Sequence, residues 1–202
     1  DGIKEYHKTR QNKELAYIEQ YYRSLNSIIK ETLLDQKYKI ISIAKEISER
    51  VKAGGIIHLF GTGHSHMMVE EAFYRAGGLA CINAILEPNL MLHNGADLSS
   101  WLERVEGLSE QILNKHDINE NDTMIIISNS GINPVPIEMA IEAKKRGLYT
   151  IAITSLNYSD VNSRHTSGKK LYQLTDEVLD NNTIIGDAVV EVKEGISMGA
   201  TS

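Results

Sequence analysis

Ile56-Ile57-His58-Leu59-Phe60-Gly61-Thr62-Gly63-His64-Ser65 decides how this 202-residue chain is read. An apolar, β-branched run without helical spacing reads as a buried strand. It stops at Gly61, Gly63 allows a tight turn, and Met67 to Ala76 resumes at helical spacing before Gly77-Gly78. Strand, Gly/Ser turn and helix in that order set unpaired N–H groups and a hydroxyl at the positive end of a helix, which suits phosphate. Met124-Ile125-Ile126-Ile127-Ser128-Asn129-Ser130-Gly131 repeats the device, followed by Asn133 and a helix from Pro134 to Arg146. Two such turns in one domain point to an anionic ligand. Neither matches the Walker or dinucleotide fingerprints.

Working outward, two amphipathic helices are expected before the first strand. Leu15, Ile18, Tyr22, Leu25, Ile28 and Ile29 fall at spacings of three and four within Glu14 to Lys30. Ile40, Ile41, Ile43, Ala44, Ile47 and Val51 do so within Asp35 to Lys52, which Gly54-Gly55 ends. These read as a helical hairpin that covers either the sheet or a partner subunit, with the polar residues 1–12 loose before it. After the first turn and its helix, Ala80 to Leu86 reads as a strand ending in Glu87-Pro88. Asn89 to Ser109 reads as a loop followed by a helix, and Glu110 to His116 as helical. Thr123 to Ser128 and Tyr149 to Thr154 are strands, Asn157 to Gly168 is loop-like, and Glu177 to Leu179 and Asp187 to Val192 are short edge strands.

Strands alternating with helices imply a parallel sheet with right-handed crossovers, and hence a three-layer α/β/α sandwich with five strands. Ligands in such sheets sit outside the carboxyl ends of the strands. Ser65, Glu87, Ser130 and Thr154-Ser155 all follow strands directly, so four turns are expected at one crevice.

Composition narrows the chemistry. The formal net charge is −6 and no basic stripe exists, which argues against a nucleic-acid groove. An anion site must then be local, built from N–H and hydroxyl groups. Cys81 is the only cysteine, so intrachain disulfides and cysteine-rich zinc sites are excluded, and in its apolar run it reads as a small buried hydrophobe. No apolar run approaches the ~20 residues of a membrane span, and the N-terminus carries no signal-peptide core. The cytoplasm is the expected compartment.

The two turns, with Ile151-Ala152-Ile153-Thr154 after them, resemble the sugar isomerase (SIS) domain over roughly residues 35–202. The Ser-x-Ser-Gly element at Ser128 to Gly131 is the most specific part. Gly63-His64-Ser65-His66, Glu87 to His93 and Ser163-Arg164-His165 look closest to a single-domain SIS subgroup often labelled phosphoheptose isomerases. The resemblance implies a flavodoxin-like sheet, a homodimer or dimer of dimers, and a phosphorylated monosaccharide as ligand. It also implies division of the chain into a dimer-packing N-terminal helix (1–34) and a sugar-phosphate domain (35–202). It places Ser65, Ser128 and Ser130 at the phosphate, with Asn133 where relatives carry Thr. Glu87 and His93 resemble the Ala-Glu-Ala-Leu-His segment of arabinose-5-phosphate isomerases. Where phosphoheptose isomerases carry a His and a catalytic Glu on the first helix, this chain has Glu71 and Arg75, and it stops where relatives begin a C-terminal helix.

Aldose–ketose isomerisation needs a base between adjacent carbons and groups that polarise the carbonyl. The expected assignment is Glu87 as base, His93 assisting, and His165 completing a neighbouring subunit's site. Gly63, His64, Ser65, Ser128, Asn129, Ser130, Asn133 and Ser155 are expected to bind phosphate. No metal or cofactor is expected: His64 and His66 flank Ser65 at a spacing too short for a helical metal pair. Two other readings stand beside the isomerase, a non-catalytic sugar-phosphate sensor and an etherase-like lyase on an amino-sugar phosphate.

Overall fold

The structure is a computed structural model that describes the backbone of residues 2–202 and the side chains of residue 12 and residues 14–202; Asp1 lies outside it. The strands β1 (Ile57–Gly61), β2 (Ile82–Ile85), β3 (Thr123–Ile127), β4 (Tyr149–Thr154) and β5 (Glu177–Asp180) form one sheet in the order β2-β1-β3-β4-β5. Every neighbouring pair is parallel. The chain winds outward from β1 to β2 and then crosses back to β3 on the other side of β1. The reversal therefore falls between β1 and β3, and a crevice opens at their carboxyl ends, as in other doubly wound sheets.

Side-chain alternation along the strands builds two unequal cores. Phe60, Met124, Ile126 and Ala152 face a deep cluster with Ile85, Leu90, Ile112, Leu113, Ile137 and Met139. The helices supplying it are α3 (Ala96–Leu102), α4 (Leu108–Leu113) and α5 (Pro134–Lys145). Ile57 and Leu59 point the other way, towards Val69 of α2 (His66–Ala72), and Ile47 and Val51 of α1 (Gly2–Lys52) pack beside them. Helices on both faces make the three-layer sandwich. Among the described residues, no helix is long and apolar enough to cross a membrane.

The N-terminal hairpin is corrected. α1 is one continuous helix of 51 residues, and it begins at Gly2, so residues 2–12 are helical rather than loose. A hairpin needs turn chemistry, and Lys30-Glu31-Thr32-Leu33-Leu34-Asp35 supplies neither Gly nor Pro. No break falls at 34/35. At ~1.5 Å per residue the helix spans roughly 77 Å, and its side chains dress the far edge of the molecule. Gln36 exchanges hydrogen bonds with the backbone of Asp180, and Lys39 Nζ donates to Val178 O (3.1 Å), covering the open edge of β5.

Two further elements depart from expectation. The first helix after the turn stops at Ala72 instead of Ala76, because Phe73 is extended and Tyr74 takes a positive φ of 46°. The segment expected as an edge strand at Asp187 to Val192 does not join the sheet. β6 (Val190–Lys193) pairs antiparallel with β7 (Ile196–Met198) in a separate hairpin, which Tyr17 Oη (to Val192 O, 3.2 Å) and Tyr21 Oη (to Ala200 O, 2.7 Å) fasten to α1.

At the amino ends of the strands a buried polar chain ties three of them together. His58 Nε2 lies 2.9 Å from Asp122 Oδ2, and the Asn83 amide donates to His58 Nδ1 (2.8 Å) and His116 Nδ1 (3.3 Å). Asp122 also accepts the N–H groups of Ile56 and Asn119, both at 2.8 Å. Burial alone would raise the Asp122 carboxyl, but these hydrogen bonds outweigh it and hold it below its ordinary range. Burial lowers His116, and the charges of His58 and Lys115 add to that; burial also lowers His66, against an opposing pull from Glu70. An unfolded chain binds protons at these two histidines from their ordinary value of 6.5 downwards, whereas the folded chain resists them. Stability is therefore expected to fall as pH drops below 6.5, visible as a falling thermal midpoint from about pH 7 to about pH 5, and His116→Asn should flatten part of that slope. Asp122→Ala, which strands the buried His58 Nε2 and the N–H groups of Ile56 and Asn119, should cost about 3 kcal/mol in denaturant unfolding.

Candidate active site

The two turns face each other across the ends of β1 and β3 and line a crevice of about 290 Å³. Close packing explains their glycines. A Cβ on Gly61 would meet the Ser65 carbonyl oxygen at 2.7 Å, so the first turn folds back directly on its own strand. Gly131 has a φ of +61°, and a Cβ there would meet Thr154 Oγ1 at 2.8 Å.

The second turn is short of acceptors. Ser128 N–H reaches Ile153 O (3.0 Å) and Gly131 N–H reaches Ser128 Oγ (3.2 Å). The N–H groups of Asn129, Ser130, Ile132 and Asn133 meet no acceptor among the described residues. Successive free amides around a glycine in the left-handed region make a concave nest for an anion, and Ser65, Ser128 and Ser130 bring hydroxyls to the same space. The helix that follows contributes less than its position suggests. Pro134 and Pro136 have no N–H, and Val135 N–H is taken by Glu103 O (3.1 Å), so the anion-binding capacity lies in the turn rather than in the first turn of α5.

Glu103, just after α3, lines the same crevice. Thr62 Oγ1 donates to one carboxylate oxygen (3.0 Å) and Asn133 Nδ2 to the other (2.8 Å). Burial pushes this carboxyl above its ordinary value, against the Thr62 hydrogen bond and the charges of Arg104 and Arg164. Arg164 Nη1 donates to Asn133 Oδ1 (2.8 Å), which fixes the Asn133 amide so that its nitrogen faces Glu103. Instead of capping α5, the Asn133 side chain joins the loop after β4 to the end of α3. Asp187 also lines the crevice, and it is occupied: Thr201 and Ser202 donate their N–H groups to it at 2.7 and 3.0 Å.

Seven of the eight residues expected at the phosphate line this crevice: Gly63, His64, Ser65, Ser128, Asn129, Ser130 and Asn133. Ser155 does not. It is buried, its hydroxyl donates to Thr183 O and accepts from Asn157 N–H, and it shapes the next loop. The three residues expected to be catalytic lie elsewhere in this chain. Glu87 opens the 3-10 turn after β2 and pairs with Lys115 Nζ at 2.8 Å. His93 stands edge-on to His66, ring centroids 6.4 Å apart. His165 turns towards Glu106 and Glu138. Glu71 and Arg75 form an exposed ion pair. Cys81 is half-buried, a free thiol packed against the smaller core.

Sequence reasoning missed Glu103, Thr62 and Arg164. Glu103-Arg104 reads as an ordinary solvated pair at the end of an amphipathic helix, and only tertiary contact with Asn133 sets the glutamate apart. Gly131→Ala is expected to cost about 2 kcal/mol, from the forced left-handed backbone and the contact with Thr154, with a matching drop in the unfolding midpoint.

Comparison with known proteins agrees with this architecture. A UPF0309 protein of Halalkalibacterium halodurans is 49% identical over 184 residues, 90% of this chain and 76% of the relative. A UPF0309 protein of Geobacillus thermodenitrificans is 48% identical over 174 residues, 86% of this chain and 70% of the relative. The fold matches a phosphoheptose isomerase from Francisella tularensis with a TM-score of 0.59 at 17% identity, covering 83% of this chain and 86% of that one. The phosphoheptose isomerase GmhA from Neisseria gonorrhoeae gives 0.58 at 17% identity, over 81% and 83%. The family profile of the SIS domain matches residues 20–155, about two thirds of the chain, so this chain belongs to the SIS domain family.

Proposed function

We propose that the crevice binds a phosphorylated monosaccharide and interconverts its aldose and ketose forms. The observation that carries this reading is the meeting of two unlike regions in one crevice. One holds the unclaimed amide N–H groups of Asn129, Ser130 and Asn133 and three serine hydroxyls, suited to a phosphate monoester. The other holds a carboxyl whose proton affinity is raised by burial, suited to moving a proton between adjacent carbons. In this reading Glu103, not Glu87, is the base, because Glu103 lines the crevice and Glu87 is spent on Lys115. His64, exposed at the rim, is placed to meet the sugar. The family and the phosphoheptose isomerase fold support the substrate class.

Solvent-deuterium exchange into sugar phosphates, followed by NMR, tests the reaction. Wild-type protein should exchange the proton next to the carbonyl of one pentose, hexose or heptose phosphate. Glu103→Gln should lower that rate by at least ~100-fold while keeping the ligand-induced rise in thermal midpoint, and Ser130→Ala should lose the rise. A non-catalytic sensor has one observation in its favour, since both Glu103 oxygens already accept hydrogen bonds from Thr62 and Asn133. Binding without exchange in the wild type would establish that reading instead.

We also propose that α1 packs against a second copy of the chain. Leu15, Ile18, Tyr22, Ile29 and Leu33 are each more than half exposed, at spacings of three, four and seven. A seam of that period over about five turns fits another helix. Replacing both Ile18 and Ile29 by Glu should convert a dimer to monomer in light scattering; an unchanged mass would place the interface elsewhere.

A further inference from the structure

Outside the crevice, three ligand-type side chains converge from three elements. Glu106 follows α3, Glu138 lies on α5, and His165 lies in the loop after β4, with their ligand atoms all within 4.8 Å of one another. His165 is almost wholly buried, its side chain 9% exposed. Its Nδ1 lies 2.7 Å from Ser167 Oγ and 3.2 Å from Ser167 N, which fixes the ring and aims Nε2 between the two carboxylates. Nε2 makes no hydrogen bond there. Glu106 Oε2 stands 3.9 Å away and Glu138 Oε1 3.8 Å away.

Both separations are too long for a hydrogen bond. Ser167 N–H donates to Nδ1, so a metal on Nε2 requires the ring proton to move to Nδ1, where Ser167 Oγ accepts it in place of the Ser167 N–H contact. Ligands held about 2.1 Å from a tetrahedral zinc ion lie ~3.4 Å apart, so a small contraction closes the observed gaps onto a metal. The carboxylates are also oriented from behind. Glu106 accepts the N–H and hydroxyl of Thr166 (2.7 and 2.8 Å), and the Gly107 N–H bonds both oxygens of Glu138 (2.8 and 2.7 Å). Such outer contacts are what fix metal ligands.

We propose that His165 Nε2 and one oxygen each of Glu106 and Glu138 form a divalent metal site of the zinc type. One imidazole with two carboxylates leaves a fourth position for water, and the nitrogen ligand disfavours calcium and magnesium, which take all-oxygen sets. The ion ties the loop after β4 to α5. Arg164 sits next to His165, with its N–H on Ile132 O (2.9 Å) and its guanidinium on Asn133, so the metal steadies one wall of the crevice without entering it. The site stands on its own residues and does not depend on the proposed sugar chemistry.

Zinc titration of the EDTA-treated full chain, read by calorimetry and by thermal melting, tests it. One equivalent should bind saturably and raise the midpoint. His165→Ala, Glu106→Gln and Glu138→Gln should each weaken binding at least tenfold, while His64→Ala should bind as the wild type does. Absence of saturable binding, or equal titration of wild type and His165→Ala, overturns the proposal. Should the variants fail to fold, X-ray absorption of the zinc-loaded wild type decides: one imidazole among oxygen ligands supports the site, and two or more imidazoles or a sulfur ligand overturns it.

Discussion

Parallel pairing of β1 with β3, from Ile57 against Thr123 to Gly61 against Ile127, is the contact on which the rest of the structure depends. These two strands lie side by side although the chain makes β2 between them, so their exits are neighbours and each must turn sharply away. The turns cannot satisfy all their own backbone groups while leaving the sheet so abruptly. Around Gly131 the result is four N–H groups without an acceptor among the described residues, three of them on residues that line the crevice. The site is thus a consequence of winding order rather than an addition to the fold.

Winding order also explains why the two faces of the sheet differ. The face carrying α3, α4 and α5 is deep, and its cluster contains fully buried Phe60, Met124 and Met139. The other face is covered only by the short α2 and the last turns of α1, and Met67, Met68 and Tyr74 remain exposed beside it. Beside this thin layer, exposed apolar residues continue along α1 at Leu15, Ile18, Tyr22, Ile29 and Leu33. The same helix does a second job at its middle, where Gln36 and Lys39 occupy the backbone of β5. Polar residues on a long helix are indistinguishable from solvated ones until the strand they serve is found.

Loop residues carry the coupling between the crevice and its surroundings. Arg164 holds Asn133, Asn133 holds Glu103, and Glu103 in turn accepts from Thr62 in the first turn. Four segments distant in sequence therefore share one hydrogen-bonded chain across the crevice floor. Partial burial strengthens these bonds and makes an unpaired member costly, which is why a half-buried glutamate is tolerated there.

The sequence by itself determined the five strands of the main sheet, their parallel class and the two turns, because burial on both faces demands continuous apolar runs and sharp exits demand glycine; it did not separate the hairpin of β6 and β7 from that sheet. It also placed seven crevice residues, since Ser-Asn-Ser-Gly and Gly-Thr-Gly-His-Ser are local chemistry. It did not determine whether α1 bends: amphipathic spacing continues through Leu33 and Leu34 in either case, and what excludes a hairpin is the lack of turn residues together with a partner edge at β5 along the helix. Nor did it identify Glu103 or bring Glu106, Glu138 and His165 together. Their roles arise from contacts across 30 to 60 residues of chain, and a carboxylate's proton affinity is set by what surrounds it once folded. Position along the strands could be read locally; partnership between side chains was decided only by the tertiary structure.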